Sequence, residues 1–166
     1  MMNADVLGQL LDRHEAALVL YARQWCRAAE DVVQEAFVQL LKQKTMPNDS
    51  AAWLFRVVRN QAISAARSDK RRGEREDRFA RERPGWFDNA SASDLDAAEV
   101  AGALDRLPIE TREIIVAHLW GGLTFDQIAE ISGGSSSTAH RRYAEGLGTL
   151  RERLGYGCLN DKTRPI

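Results

Sequence analysis

The stretch GGLTFDQIAEISGGSSSTAHRR, residues 121–142, decides the fold. Thr124-Phe125-Asp126-Gln127 has the form of a capping box. The Thr124 hydroxyl can accept from the backbone three residues on while the Gln127 side chain reaches back, satisfying two orphan donors at a helix start. The helix so begun stops near Ser132, because Gly133-Gly134 makes a tight turn. Ser135 or Ser136 can then cap a last helix that reaches Leu154. A short helix, a glycine turn and a second helix led by small polar residues match a helix-turn-helix, whose second helix enters the major groove of DNA. Plain helical hairpins share this local pattern, so the stretch by itself leaves both readings open.

Working back from it, Pro108 suits the first turn of a helix running to about Trp120, where its missing N–H costs nothing, and Gly121-Gly122 ends that helix. Helical patterning also covers Leu95 to Leu107. Before it, from Gly73 to Asp94, periodicity fails, charges of both signs mix, and Pro84-Gly85 and Asn89-Ala90-Ser91 interrupt any helix. This segment reads as a flexible linker, in which Trp86 and Phe87 are expected to pack on a neighbouring domain.

The N-terminal part is also helical. From Asp5 to Leu41 apolar residues recur at helical spacing, through Val6, Leu7, Leu10 and Leu11 to Val32, Val33, Ala36, Phe37, Leu40 and Leu41, which predicts two or three helices. Pro47-Asn48-Asp49-Ser50 is a turn cluster whose Asp49 or Ser50 can cap the next helix, expected over about Ala51 to Asp69. Leu54, Val57, Val58, Ala62 and Ala65 form its apolar stripe, while Arg56, Arg59, Asn60 and Arg67 project elsewhere. Trp53 at its start reads as a packing anchor. Between Trp53 and Arg75 seven basic residues face two acids, a local charge of +5 in a chain whose formal net charge is only -1. Any contact with nucleic acid must therefore come from local clustering.

At 166 residues with 44% hydrophobic side chains the chain has enough apolar material for one ordinary domain or two very small ones. Cys26 and Cys158 lie far apart and form no CxxC pair, so neither a zinc site nor a disulfide framework is indicated, and a reducing cytoplasm is the simplest setting. The start, MMNADVLGQLLDRHE, carries acids where a signal peptide needs a basic flank, and the longest apolar run, Ala16 to Ala22, is too short to span a bilayer. No membrane insertion is expected. His14, His118 and His140 are scattered, no phosphate-binding glycine loop occurs, and no nucleophile sits in a recognisable constellation, so no enzyme, catalytic residue, metal or cofactor is expected.

Two ordered stretches resemble the extracytoplasmic-function (ECF) sigma factors of the sigma-70 family. Ala29-Glu30-Asp31-Val32-Val33-Gln34-Glu35-Ala36-Phe37 and Ala52-Trp53-Leu54-Phe55-Arg56-Val57-Val58-Arg59-Asn60-Gln61-Ala62-Ile63 look like the core-binding and promoter-melting parts of region two. Leu107-Pro108, Arg112-Glu113, Gly122-Leu123-Thr124, Gln127-Ile128-Ala129-Glu130-Ile131 and Leu150-Arg151-Glu152-Arg153-Leu154 are similar to region four. The resemblance implies an all-α chain of two small helical domains: a region-two-like domain over 1–72, a linker over 73–94, a region-four-like helix-turn-helix domain over 95–155, and a tail over 156–166. It implies RNA polymerase core as partner, through the coiled coil of the largest subunit and the flap of the second, with promoter DNA and an anti-sigma factor besides.

Carried onto this chain, the resemblance gives Asp31, Gln34 and Glu35 polar contacts to core and makes Phe37 their apolar support. It places minus-ten recognition in the loop from Gln43 to Ser50, with Lys44, Asn48 and Asp49, and in Arg56, Arg59, Asn60, Arg67, Arg71 and Arg72 of the basic helix, since melted strands call for cations along phosphates and polar groups for bases. On the last helix Ser136, Ser137, Thr138, His140, Arg141 and Arg142 should face the upstream element, with Arg141 or Arg142 on a guanine edge or a phosphate. Ile128, Ala129, Ala139, Tyr143, Leu147 and Leu150 are expected in the core of that domain.

In this second half the chain departs from the family it resembles. Glu145 and Leu147 stand where basic residues are common, and Gly146 and Gly148 weaken the helix interior. Between Ala97 and Leu154 six basic residues face eight acids, a net of -2. Two rival readings therefore stand beside the sigma factor: a helix-turn-helix regulator that works without polymerase, and a diverged sigma-like protein that holds other proteins and no DNA.

Overall fold

A computed structural model describes residues 4–75 and 95–155. Among them are seven helices: α1 (Ala4–Ala22), α2 (Ala29–Leu41), α3 (Ser50–Arg75), α4 (Leu95–Asp105), α5 (Ile109–Leu119), α6 (Phe125–Ser132) and α7 (Ser136–Arg153). The fold is all-α, as expected. Trp86 and Phe87 lie outside the described residues.

The first three helices pack pairwise on one another. Their inward residues recur at steps of three and four: Ala17, Leu18, Tyr21 and Ala22 on α1, Val33, Ala36, Phe37 and Leu40 on α2, and Leu54, Phe55, Val58 and Ala62 on α3. Asp49 starts α3, accepting from the Ala52 N–H at 2.9 Å. The helix runs past the expected end at Asp69 to Arg75, through Lys70, Arg71 and Arg72, all strong helix formers that outweigh Gly73. Burial, and then the charge of Asp69, push the Cys26 thiol up to about 11, so it is an inert core group at neutral pH.

In the second unit α5 is the centre. Six consecutive residues, Arg112 to Ala117, are buried, which requires neighbours on every side. They are α6 and α7 within the unit and α1 of the first unit. Pro108 sits one residue outside the helix, as its cap. Gly146 is explained by packing: a Cβ there would lie 2.5 Å from Thr111 Cγ2 and 2.8 Å from Ile115 Cδ1, so glycine lets α7 approach α5 closely. The weakened helix interior is offset by that contact.

The capping box of α6 is formed, with the Thr124 N–H donating to Gln127 Oε1 at 2.7 Å and the Gln127 N–H donating to Thr124 Oγ1 at 3.2 Å. Gly122, at φ 69°, makes the turn into it. Thr124→Ala is expected to cost about 1 kcal/mol in urea unfolding, whereas Thr124→Ser should cost little.

The two units do not merely follow one another. α1 packs on α5 and α3 packs on α6, and the buried apolar residues of both units form one continuous core.

Candidate nucleic-acid interface

Exposed basic groups line α3 along much of its length. Arg56, Asn60, Arg67, Arg71 and Arg72 are exposed, as are Lys44 and Asn48 in the preceding loop. Arg72 pairs with Asp69 at 2.9 Å, both largely in solvent, an interaction worth under about 1 kcal/mol that leaves the guanidinium available to a phosphate.

Arg59 is placed differently from its neighbours. Its side chain is 22% exposed and grips Glu113 of α5 in a fork, Nε donating to Oε1 at 2.6 Å and Nη2 to Oε2 at 3.4 Å. The hydroxyl of Tyr21 donates to the same Oε1 at 2.6 Å, and the guanidinium lies 5.9 Å from the centre of the Trp25 ring. Burial works against the charge of Arg59, but the hydrogen bond and charge of Glu113 outweigh it and hold the guanidinium above its usual range. Tyr21 is raised well above the ordinary phenol by burial and then by the adjacent carboxylate.

Two further polar contacts follow the same junction. Arg56 Nη2 lies 3.6 Å from Glu130 Oε2 of α6, and the Gln127 side-chain amide donates to Asp49. Phe55, left out of the predicted stripe, is fully buried because it has a second face to cover: its ring packs edge-on to Tyr21 at 5.0 Å and against Gly121, where a Cβ would lie 2.6 Å from Cζ. Glu113, Tyr21, Phe55 and Gln127 were not legible as site residues, since their partners lie far away in the chain.

On α2, Asp31, Gln34 and Glu35 share an exposed face at i, i+3 and i+4 spacing. Phe37 does not join them. It is 4% exposed, turned into the core between the helices, and can support α2 only from behind. The exposed apolar residues at this end of the helix are Val38 and Leu41, 39% and 48% exposed; Val38, three residues after Glu35, continues the polar face.

On α7, Ser135 is the cap, accepting from the Thr138 N–H at 3.1 Å, and the Thr138 hydroxyl is spent 2.9 Å from the same oxygen. Ser137, His140, Arg141 and Arg142 are exposed, while Ser136 and Thr138 are half-buried. Arg141 lies 3.7 Å from Glu145, a loose exposed pair. Behind this face, Phe125 stacks on His118 at 4.4 Å and meets His140 and Tyr143 at 5.1 and 5.3 Å, which fixes α7 on α6. Ala139 and Leu150 are buried and Tyr143 and Leu147 partly so, as expected.

The comparisons with known proteins agree with this architecture. The family model for Sigma-70 region 2 matches residues 10–72 and that for Sigma-70 region 4 matches residues 97–150. The chain is 31% identical over 161 residues to the ECF RNA polymerase sigma factor SigL of Mycobacterium tuberculosis, covering 92% of this chain and 90% of that one. Among solved structures it is similar to the sigma factor RpoE in complex with the anti-sigma factor NepR from Bartonella quintana, with a TM-score of 0.75 at 25% identity over 93% of this chain and 99% of that one. It is also similar to CnrH in complex with the cytosolic domain of CnrY, with a TM-score of 0.61 at 27% identity over 93% and 91% of the two chains. The chain belongs to the ECF RNA polymerase sigma factors of the sigma-70 family. Its function is that of the family, to direct RNA polymerase to promoters and start transcription. No helix among the described residues is long and apolar enough to cross a membrane.

Proposed function

We propose that the chain divides its work between a core-binding and promoter-melting unit over 1–72 and an upstream-element unit over 95–155, joined by the linker over 73–94 and followed by a tail over 156–166. It acts in the cytoplasm with RNA polymerase core, which does the chemistry; the chain itself is no enzyme. Asp31, Gln34 and Glu35 meet the coiled coil of the largest subunit, and Val38 and Leu41 supply the apolar contact that Phe37, turned inward, cannot. The second unit reaches the flap of the second subunit and lays Ser137, His140, Arg141 and Arg142 on duplex DNA. An anti-sigma factor is a further partner, as one of the structures it resembles is of a sigma factor in complex with one.

The observation that carries this reading is the line of exposed cations on α3, Arg56, Arg67, Arg71 and Arg72, beside the Lys44 and Asn48 loop. Unpaired strands are held by such a groove through their phosphates, with flanking polar groups on the bases. The test is transcription in vitro with purified core and a genomic fragment library, followed by permanganate footprinting at the start sites found. Arg67→Glu with Arg71→Glu, one turn apart and both exposed, is expected to lower strand opening by on the order of tenfold or more while leaving core binding unchanged. Arg59 is unsuitable for this test, because its reversal would set two carboxylates against each other at Glu113. Strand opening at the wild-type level in a folded double variant would refute the assignment of α3.

A further inference from the structure

An open crevice of about 370 Å³ lies where α1 meets the end of α5 and the turn before α3. We propose that it is a binding site for a nucleoside monophosphate, with the base on Trp120, the phosphate on Arg13, and His14 and Asp49 meeting the polar edges between them. The site is separate from the exposed cations of α3 and does not depend on how they meet DNA.

His14 is the residue that calls for a ligand. It is only 8% exposed, lines the crevice, and makes no hydrogen bond among the described residues. Buried polar side chains normally have partners, so this imidazole points to a group that the chain itself does not supply. Burial, and then the charge of Arg13, lower its proton affinity against the opposing pull of Asp49. At neutral pH the ring is therefore neutral and offers one donor and one acceptor. The edge of a nucleobase presents the same pairing of groups.

The other walls supply the rest of a nucleotide's recognition. Trp120, the C-cap of α5, is 43% exposed, and Leu119 beside it is 52% exposed. Two adjacent large apolar side chains left in water at the lip of a crevice mark a binding surface. The indole is a platform on which a base can stack, and stacking tolerates any base. Arg13 is exposed and has no acidic partner among the described residues, so its guanidinium is available to a phosphate through two parallel donors. Asp49 accepts from the Ala52 N–H at 2.9 Å and from the Gln127 amide, which holds the carboxylate still. Each of its oxygens keeps a lone pair for a sugar hydroxyl or a ring amino group. The volume lies near the lower end of the range for small-molecule sites, so it admits one nucleotide and not a strand.

The test is isothermal titration calorimetry of the full chain with AMP and GMP, adenosine being followed by competition against AMP. Both nucleotides are expected to bind saturably, with Kd on the order of 100 µM or tighter. Adenosine and inorganic phosphate, each lacking part of what the crevice recognises, should bind at least about tenfold more weakly. Arg13→Gln, at an exposed position, should weaken AMP by about tenfold and leave adenosine unchanged. Trp120→Ala should weaken both by about tenfold, and His14→Leu, which keeps the buried volume, by about fivefold. No saturable heat at millimolar AMP would overturn the proposal. Phosphate binding as tightly as AMP would also overturn it, since charge alone would then explain the affinity. Loss of AMP binding in Arg67→Glu with Arg71→Glu, with Arg13→Gln unaffected, would move the nucleotide to α3 and overturn the assignment. Should Trp120→Ala or His14→Leu fail to fold by circular dichroism, Arg13→Gln decides alone: equal losses for AMP and adenosine, or no loss for either, would refute the site.

Discussion

Glu113→Ala is expected to lower the stability of the folded chain by about 3 kcal/mol. The carboxylate accepts from both Arg59 and Tyr21, at 2.6 Å each, and removing it strands two donors at once. The Tyr21 hydroxyl, in a side chain 1% exposed, has no water to turn to. The guanidinium of Arg59, 22% exposed, can recover part of its hydration, which places the cost at the lower end of the range for breaking a buried pair. Glu113→Gln should cost less, because an amide oxygen still accepts from Tyr21 while the charge on Arg59 loses its counterpart. Urea unfolding of the three proteins checks the order. A cost below about 0.5 kcal/mol for Glu113→Ala would mean that water already serves both donors. The same cluster sets an alkaline limit. The folded state holds the phenol of Tyr21 well above the 10.0 of a free tyrosine, so its contribution is fully present below about that pH and is lost as the pH rises beyond it. Tyr21→Phe should remove that part of the pH dependence.

Phe55→Ala is expected to cost about 3 to 5 kcal/mol, the range for emptying a fully buried aromatic site. More than volume is lost. The ring joins Tyr21 in the first unit to Gly121 in the second, so its removal opens a cavity where α3 meets the turn between α5 and α6. The cavity cannot close by a small shift, since the Gly121 N–H is already tied to the Val116 carbonyl at 3.1 Å. Phe55→Leu, which keeps most of the apolar volume, should cost under about 1.5 kcal/mol. Tryptophan fluorescence and far-ultraviolet circular dichroism should report one unfolding transition in the wild type and two in Phe55→Ala, once the shared core is broken. A single transition with a loss under about 2 kcal/mol would show that the ring is not shared between the units.

The helices and their ends were readable because each is a local matter. Capping at Thr124 and Gln127, the breaks at Gly121-Gly122 and Gly133-Gly134, and the exposed faces of α2 and α7 depend on residues within a turn or two of each other. The charge of α3 was readable for the same reason, as a run of arginines. That Phe37 supports α2 from the core and not at its surface was not readable, because hydrophobic spacing says which residues lie on one face but not which face is turned inward. Phe55 was missed because a single apolar stripe describes a helix with one neighbour, and α3 has them on two sides.

The order of its residues alone therefore determined that this chain is all-helical, that it carries a capped helix-turn-helix behind a basic helix, and where its cations cluster. Tertiary structure decided which of those cations are free. Arg59 and Glu113 are 54 positions apart and Tyr21 and Glu113 are 92 apart, so no local period links them. Their union depends on how two separately formed units dock, and docking is set by shape and buried charge on surfaces that come into being only after each unit has folded.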